Sequence, residues 1–363
     1  MSDSALRLLQ ELVEIESPTG SPGVRAVSER VAAELEALGG AASFDAAGHL
    51  RLDFAGEGAP LVLLAHSDTV WPLGTLARLP FRAEDGRAYG PGVYDMKAGL
   101  VTAVEALRLA RAPGAPAHRA VRVLVTADEE VGSVSAGSAI AAAAQGAAAA
   151  LVLEPCLPGG GVKVWRKGIG RFQLHVQGRA AHAGTQPSPG VSAVQELAHQ
   201  VIALHALADI ETGVSLNVGV VRGGTAENVI PERAEALIDV RIARTEQMAP
   251  LEAQLRGLAP VHREARLRVE GAWTRPPLEA TAGSEALYAA AARHAQALGF
   301  HLLKGGSGGG SDGNLIAAHG VPVLDGLGPD GGGAHAETEH LLLDSLPQRA
   351  ALVARLLADP GVA

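Results

Sequence analysis

The stretch "VRVLVTADEEVGS", residues 121–133, runs from an apolar strand pattern straight into Asp128, Glu129 and Glu130. Three adjacent carboxylates repel one another, so their position at the end of such a run calls for a counter-charge. Two readings fit the stretch alone: a bound cation, or a solvated helix N-terminus where acids sit against the positive end of the dipole. The apolar half decides the fold class. Runs of the same kind recur as "LVLLA" (61–65), "ALVL" (150–153) and "VPVL" (321–324). They are short and continuous, without polar alternation, as in strands covered on both faces. Helical patterns such as "MKAGLVTAVEALRLA" (96–110) lie between them, and the whole reads as α/β organisation.

The middle of the chain has another order. "GRFQLHVQG" (170–178), a helix pattern at 191–207, "VSLNVGVV" (214–221), "RAEALIDVRIA" (233–243), a helix pattern at 246–259 and "ARLRVEGAW" (265–273) read β-α-β-β-α-β. That is the order of a ferredoxin-like α+β module. The prediction is therefore one domain over 1–168 and 276–363, with a second inserted at 169–275. A length of 363 residues agrees with about two domains.

Composition removes several function classes. Apolar residues make up 47% but aromatics only 3%, so small aliphatics must fill the interior. A net charge of −9 with no basic stripe argues against nucleic acid as a partner. The single cysteine, Cys156, excludes an intramolecular disulfide, and "MSDSALRLLQELVEIES" reads as an amphipathic helix rather than an export signal, so a cytoplasmic protein is expected. The mostly alanine run "AIAAAAQGAAAALVL" (139–153) is too weakly apolar for a membrane span and reads as a helix followed by a strand.

The strand ends share a feature. "LVLLA" ends in His66-Ser67-Asp68, "VRVLV" just before Asp128-Glu129-Glu130, and "ALVL" in Glu154. Ligands of open α/β sheets bind outside the carboxyl ends of the strands, so these side chains should converge in one crevice. Asp95 lies just ahead of a helix after a Gly90-Pro91-Gly92 turn; alone it would read as an N-cap. His335, after a strand and a glycine-rich turn, would alone read as a surface histidine. Together, His66, Asp95, Glu130, Glu154 and His335 suit zinc, with the aspartate bridging two ions through its two oxygens. A water between two such ions loses its proton near neutral pH. Glu129, beside the ligand Glu130, is the natural general base.

Taken in order, "HSDTV" (66–70), "YGPGVYDMKAG" (89–99), "TADEEVGS" (126–133), "LEP" (153–155), "GRAAHAG" (178–184), "ENVIPERAEALIDVR" (227–241) and "GGAHAETEH" (332–340) resemble the serial motifs of the M20 metallopeptidase family, most of all its glutamate carboxypeptidase branch. The resemblance covers nearly the whole chain. It implies a two-zinc, aminopeptidase-like catalytic domain, with a central mixed sheet flanked by helices, and an inserted lid domain through which subunits form a homodimer. One zinc would take Asp95, Glu130 and His335, the other His66, Asp95 and Glu154, and Asp68 would orient His66. Cobalt is an expected substitute for zinc. His182 would reach the partner subunit's site and donate to the tetrahedral oxyanion. Asn228 and Arg241 would hold substrate and its carboxylate, with Arg275 a further carboxylate contact. Family members often follow the bridging aspartate with a second acid, joined through a cis peptide; here that residue is Met96.

The implied reaction is hydrolysis of an amide whose amine side carries a free carboxylate, in a small peptide or an N-acyl amino acid. A carboxypeptidase and an N-acyl-amino-acid amidohydrolase both fit. A non-catalytic dimeric binding protein would lack a ligand or the base, and all are present. "GGSGG" (305–309) formally matches a serine nucleophile elbow, with Ser307 followed by Asp325 and His335, but leaves the acidic cluster unused. "GGGSDG" (308–313) matches G-x-G-x-x-G outside any first strand-helix unit and reads instead as a loop capped into a helix by Ser311 or Asp312.

Overall fold

The computed structural model describes residues 1–359, 361 and 362. The chain forms two compact units. One comprises Met1–Trp165, Ala280–Ser307 and the residues from Ser311 onward, and the other Arg166–Glu279 with Gly308–Gly310.

The first unit is built on a six-stranded sheet in the order Ala41–Phe44, Leu50–Phe54, Arg119–Thr126, Glu57–His66, Ala149–Val152, Val323–Leu324. The first two pairings are antiparallel and the remaining three parallel, so the sheet is mixed. Residues 61–66 of the central strand are all buried, which explains its unbroken apolar run. The α/β reading, with a mixed central sheet and helices, holds.

The helices show why the interior needs few aromatics. Asp3–Glu14 is capped by Ser2, whose Oγ accepts the Ala5 N–H, and buries Leu8, Leu9, Leu12 and Val13 as one stripe. Ala98–Ala110 packs alanine, valine and leucine into the same core. A Cβ on Gly99 would fall 2.2 Å from the Leu153 carbonyl oxygen, so only glycine lets this helix meet the strand end that delivers Glu154. Among the described residues no helix is long and apolar enough to cross a membrane.

A small antiparallel sheet in the order Gly331–Gly332, His340–Leu342, Arg87–Tyr89, Arg82–Glu84 also belongs to this unit. The 90–97 turn leaves one of its strands, and the 333–339 turn joins two others. Two turns far apart in sequence thereby spring from neighbouring strands.

The second unit is a four-stranded antiparallel sheet in the order Ser215–Gly223, Arg233–Ile242, Gly168–Gln177, Arg266–Arg275. Every second residue of Arg233–Ile242, from Ala234 to Ile242, is buried, the signature of a sheet covered on one face. Helices Ala193–His205 and Met248–Arg256 supply Leu197, Leu204, Leu251 and Leu255 to that core. Phe172 and Trp273 meet edge to face at 5.8 Å.

Candidate metal centre

Register in the central sheet explains how four of the acids and imidazoles approach one another. His66 pairs with Thr126 on one side, and Leu64 pairs with Val152 on the other. His66, the 127–130 turn and Glu154 therefore leave three adjacent parallel strands at one end. The small sheet adds Asp95 and His335 from its two turns.

Asp95 lies between two imidazoles, with one oxygen facing each. Its Oδ1 is 3.5 Å from His66 Nε2 and its Oδ2 is 3.3 Å from His335 Nε2. His66 Nε2 also stands 3.4 Å from Glu154 Oε1, and His335 Nε2 3.4 Å from Glu130 Oε2. Donor atoms of His66, Asp95 and Glu130 all fall within 4.8 Å of one another, as do those of His66, Glu129 and Glu154. All five ligands expected from the sequence are gathered here, and Glu129 stands with them.

Burial would lower the His66 imidazole, but Asp68, Asp95 and Glu154 outweigh it and hold the ring well above its ordinary range. Contacts with Asp95 and Glu130 push His335 up to about 10. Burial would raise the Asp95 carboxyl, and the imidazoles of His335 and His66 hold it below the usual carboxylate range. Glu130 is raised, chiefly by burial, and its Oε1 is buried without a hydrogen-bond partner. Two imidazoles, three carboxylates and an orphaned carboxylate oxygen, with Asp95 facing both imidazoles, fit two divalent cations.

Neighbouring groups hold this set in place. Asp68, 1% exposed, accepts the Glu129 N–H on Oδ1 and the Glu130 N–H on Oδ2, each at 3.1 Å, and the Thr19 hydroxyl at 2.7 Å. Asp128 accepts the Ser135 N–H and hydroxyl at 2.7 and 2.8 Å, so the first acid of the triplet closes the turn. The Asp95–Met96 peptide is cis, and the Met96 thioether accepts the His66 N–H at 3.2 Å.

Comparison with known proteins follows the same lines. Residues 62–359 match the model of peptidase family M20/M25/M40. The chain belongs to that family. It is 32% identical over 371 residues to carboxypeptidase G2 of a Pseudomonas species, covering 99% of this chain and 89% of that protein. Succinyl-diaminopimelate desuccinylase of Methylococcus capsulatus is 30% identical over 330 residues, 84% of each chain. Among solved structures, aminopeptidase PepT of Bacillus cereus superposes with a TM-score of 0.82 at 24% identity, covering 98% of this chain and 97% of that one. These likenesses make this M20 protein a hydrolase of the peptidase and amidohydrolase type.

The remaining expected residues lie in the second unit. His182 is exposed and pairs with Val229 across a short bridge. Its Nδ1 accepts the N–H groups of Gly184 and Thr185, both at 3.1 Å, so a neutral ring carries its proton on Nε2. Asn228 is exposed, and its carbonyl accepts the Ala183 N–H at 2.9 Å, tying the two motifs together. The Arg241 guanidinium donates to both Asp239 oxygens at 2.7 and 2.9 Å. Arg275 is buried at the end of its strand.

The structure adds residues that single-motif reading passed over. Trp71, just after one M20 motif, and Lys97 and Glu339, inside two others, are all buried. Lys97 donates to the Ile15 carbonyl at 2.8 Å, and burial lowers its amine to about 7. A charged residue inside a motif flanked by glycine and apolar residues was the available signal. Ser311, not Asp312, caps the Asp312–Ala317 helix through the Gly313 N–H, and Ser311 Oγ donates to Asp325 at 2.6 Å. Asp325 thus serves the cap, and His335 serves the acids.

Proposed function

We propose that this protein is a two-zinc M20 carboxypeptidase-type hydrolase that cleaves an amide whose amine side bears a free carboxylate. The observation that carries it is Asp95 between His66 and His335, each imidazole backed by its own glutamate. His66, Asp95 and Glu154 would hold one ion, and Asp95, Glu130 and His335 the other. Bound there, two zinc ions would polarise the scissile carbonyl and lower the pKa of an attacking water.

In this reading the chain's own residues do the rest. Glu129 accepts the proton of the attacking water and passes it to the leaving amine. Asp68 fixes the His66 ring and the turn that carries Glu129. His182 donates from Nε2 to the developing oxyanion of the partner subunit's site, and Arg241, Asn228 and Arg275 hold the substrate and its carboxylate. Catalysis is assigned to the first unit and dimerisation to the second, whose expected span of 169–275 lies within the observed Arg166–Glu279. A cytoplasmic setting fits the lone, buried Cys156.

Near-full-length similarity to carboxypeptidase G2 supports the carboxypeptidase assignment. The similarity to a desuccinylase supports a second reading, hydrolysis of an N-acyl amino acid, which uses the same chemistry on another acyl group. A panel of dipeptides and N-acyl amino acids ranked by kcat/KM separates the two. About two zinc ions per subunit are expected by elemental analysis, with activity lost on chelation and restored by Zn²⁺ or Co²⁺. Full activity in protein shown to be metal-free would remove the reading altogether.

A further inference from the structure

We propose that Glu339 is a positioning residue for the metal centre: its carboxylate fixes the turn of Asp95 against the turn of His335. The proposal rests on the reading of His66, Asp95, Glu130, Glu154 and His335 as metal ligands.

Glu339 is 3% exposed. Its Oε1 accepts the backbone N–H groups of Tyr94 at 2.9 Å and Asp95 at 3.0 Å. Its Oε2 accepts the Gly92 N–H at 3.0 Å and the Trp71 indole N–H at 2.7 Å. An ionised carboxylate offers about four acceptor directions, and all four are taken. Three of the donors are amides of the one turn that presents Asp95, which closes around the carboxylate as a small anion nest. Gly92 is part of that fit, with φ +73° and its Cα facing the Thr69 side chain so closely that a Cβ would fall 2.5 Å from a methyl carbon.

The backbone of Glu339 is tied to His335 just as directly. The Glu339 N–H donates to the Ala336 carbonyl at 2.8 Å, and the Ala336 N–H to the Gly333 carbonyl at 2.9 Å. His335 sits inside this turn at φ +63°, a left-handed conformation uncommon for a residue with a side chain. Trp71 adds a third segment, because it follows His66 by five residues. One buried carboxylate therefore joins the segments that carry His66, Asp95 and His335, and its four bonds go to backbone amides and to Trp71 rather than to ligand side chains.

Metal–ligand distances tolerate about 0.2 Å of error, so a turn that loses its anchor costs metal affinity before it costs the fold. Glutamine keeps the size of Glu339 but has one acceptor oxygen where four donors converge. Glu339→Gln leaves some of those buried N–H groups without a partner and frees the Asp95 turn.

The test strips metal from wild type, Glu339→Gln, Trp71→Phe and a control, Glu196→Gln, and titrates each with Co²⁺ by calorimetry and visible absorption. Glu196 is 1% exposed in the core of the second unit and accepts three N–H bonds, so it matches Glu339 in burial. Glu339→Gln is expected to weaken at least one Co²⁺ site by about tenfold or more, to alter the visible band, and to lower kcat with KM within about twofold. Trp71→Phe, which removes one donor, should move the same readouts by about two- to tenfold, the scale of one lost hydrogen bond. Glu196→Gln should lower the urea midpoint and leave the Co²⁺ spectrum and affinities unchanged.

Wild-type Co²⁺ affinities and spectrum in Glu339→Gln overturn the proposal. Should Glu339→Gln fail to fold, an unchanged spectrum and affinity in Trp71→Phe overturn it equally. A change in the Co²⁺ spectrum of Glu196→Gln as large as that of Glu339→Gln also overturns it, since any buried carboxylate would then do the same. Wild type that binds no Co²⁺ instead overturns the metal-centre reading, and the proposal falls with it.

Discussion

His66 Nδ1 stands 3.0 Å from the Asp68 carbonyl oxygen and 3.3 Å from its carboxylate Oδ1. The Nδ1–H donates toward Asp68, which leaves Nε2 facing Asp95 and Glu154. The same carboxylate accepts the N–H groups of Glu129 and Glu130, so one residue orients the His66 ring and the turn of Glu129 and Glu130 together.

Asp68→Asn should therefore lose both metal affinity and kcat. Removing a carboxylate that orients a metal-bound imidazole typically costs about 10–100-fold. Metal titration and steady-state kinetics on the same preparation check this. Wild-type values for both would leave Asp68 as a packing residue.

Glu129 and Glu130 are adjacent but should fail differently. Glu129→Gln is expected to keep both metals and lose at least about 10²-fold in kcat, the scale of general base catalysis. Glu130→Ala should lose metal itself, because its carboxylate faces His335. Metal analysis beside activity distinguishes them. Retained activity in the first together with retained metal in the second would contradict the assignment.

Arg241 should read the substrate carboxylate. Arg241→Ala should reduce kcat/KM for acids by about 1.5–3 kcal/mol more than for the matching amides, because a charge-assisted contact is removed only for the acid. Asp239 already orients the guanidinium, so Asp239→Asn should show the same preference more weakly. Equal losses on acid and amide would make Arg241 structural.

A shared active site predicts complementation. Glu129→Ala and His182→Ala homodimers should both be nearly inactive, the latter by about 10²–10³-fold for a lost oxyanion donor. In a mixed dimer one site pairs an intact Glu129 with the partner's intact His182. Equal reassortment makes half the dimers mixed with one good site of two, so about a quarter of wild-type activity should return. No recovery, with mixed dimers demonstrated by differently tagged chains, would place His182 outside its partner's site.

Glu196 gives the second unit a pH-dependent anchor. It accepts the Val261 and His262 N–H groups at 3.0 and 2.8 Å and the Gln200 amide at 2.7 Å. Burial would raise its carboxyl, but these bonds outweigh it and hold the group below its ordinary value of 4.5. The stabilisation is thus present above the unfolded-state value and is lost as pH falls through the folded one. Glu196→Ala should cost about 2–4 kcal/mol at pH 7 and progressively less on acidification, measured by urea unfolding. A difference from wild type that does not shrink at low pH would remove the charge from the explanation.

Much of this was legible in the residues themselves. Unbroken apolar runs before His66, Glu129 and Glu154 gave parallel strands covered on both faces, and the carboxyl ends of such strands are where ligands gather. The β-α-β-β-α-β order gave the antiparallel sheet of the second unit, because the alternation along Arg233–Ile242 is a local property of a sheet with one wet face. Asp95 and His335 were different: each alone read as a cap or a surface residue, and only their motifs linked them. That Asp95 turns one oxygen to each imidazole depends on two turns 240 residues apart leaving neighbouring strands of the small sheet, through the pairing of His340 with Tyr89. Glu339 was not legible at all. A single glutamate in a polar turn carries no periodicity and no spacing rule, and its four donors come from residues 71–95, brought to it only when the chain closes. Local pattern determines strands, helices and caps because their hydrogen bonds span a few residues, whereas the direction in which a carboxylate points is set by whichever donors tertiary packing delivers.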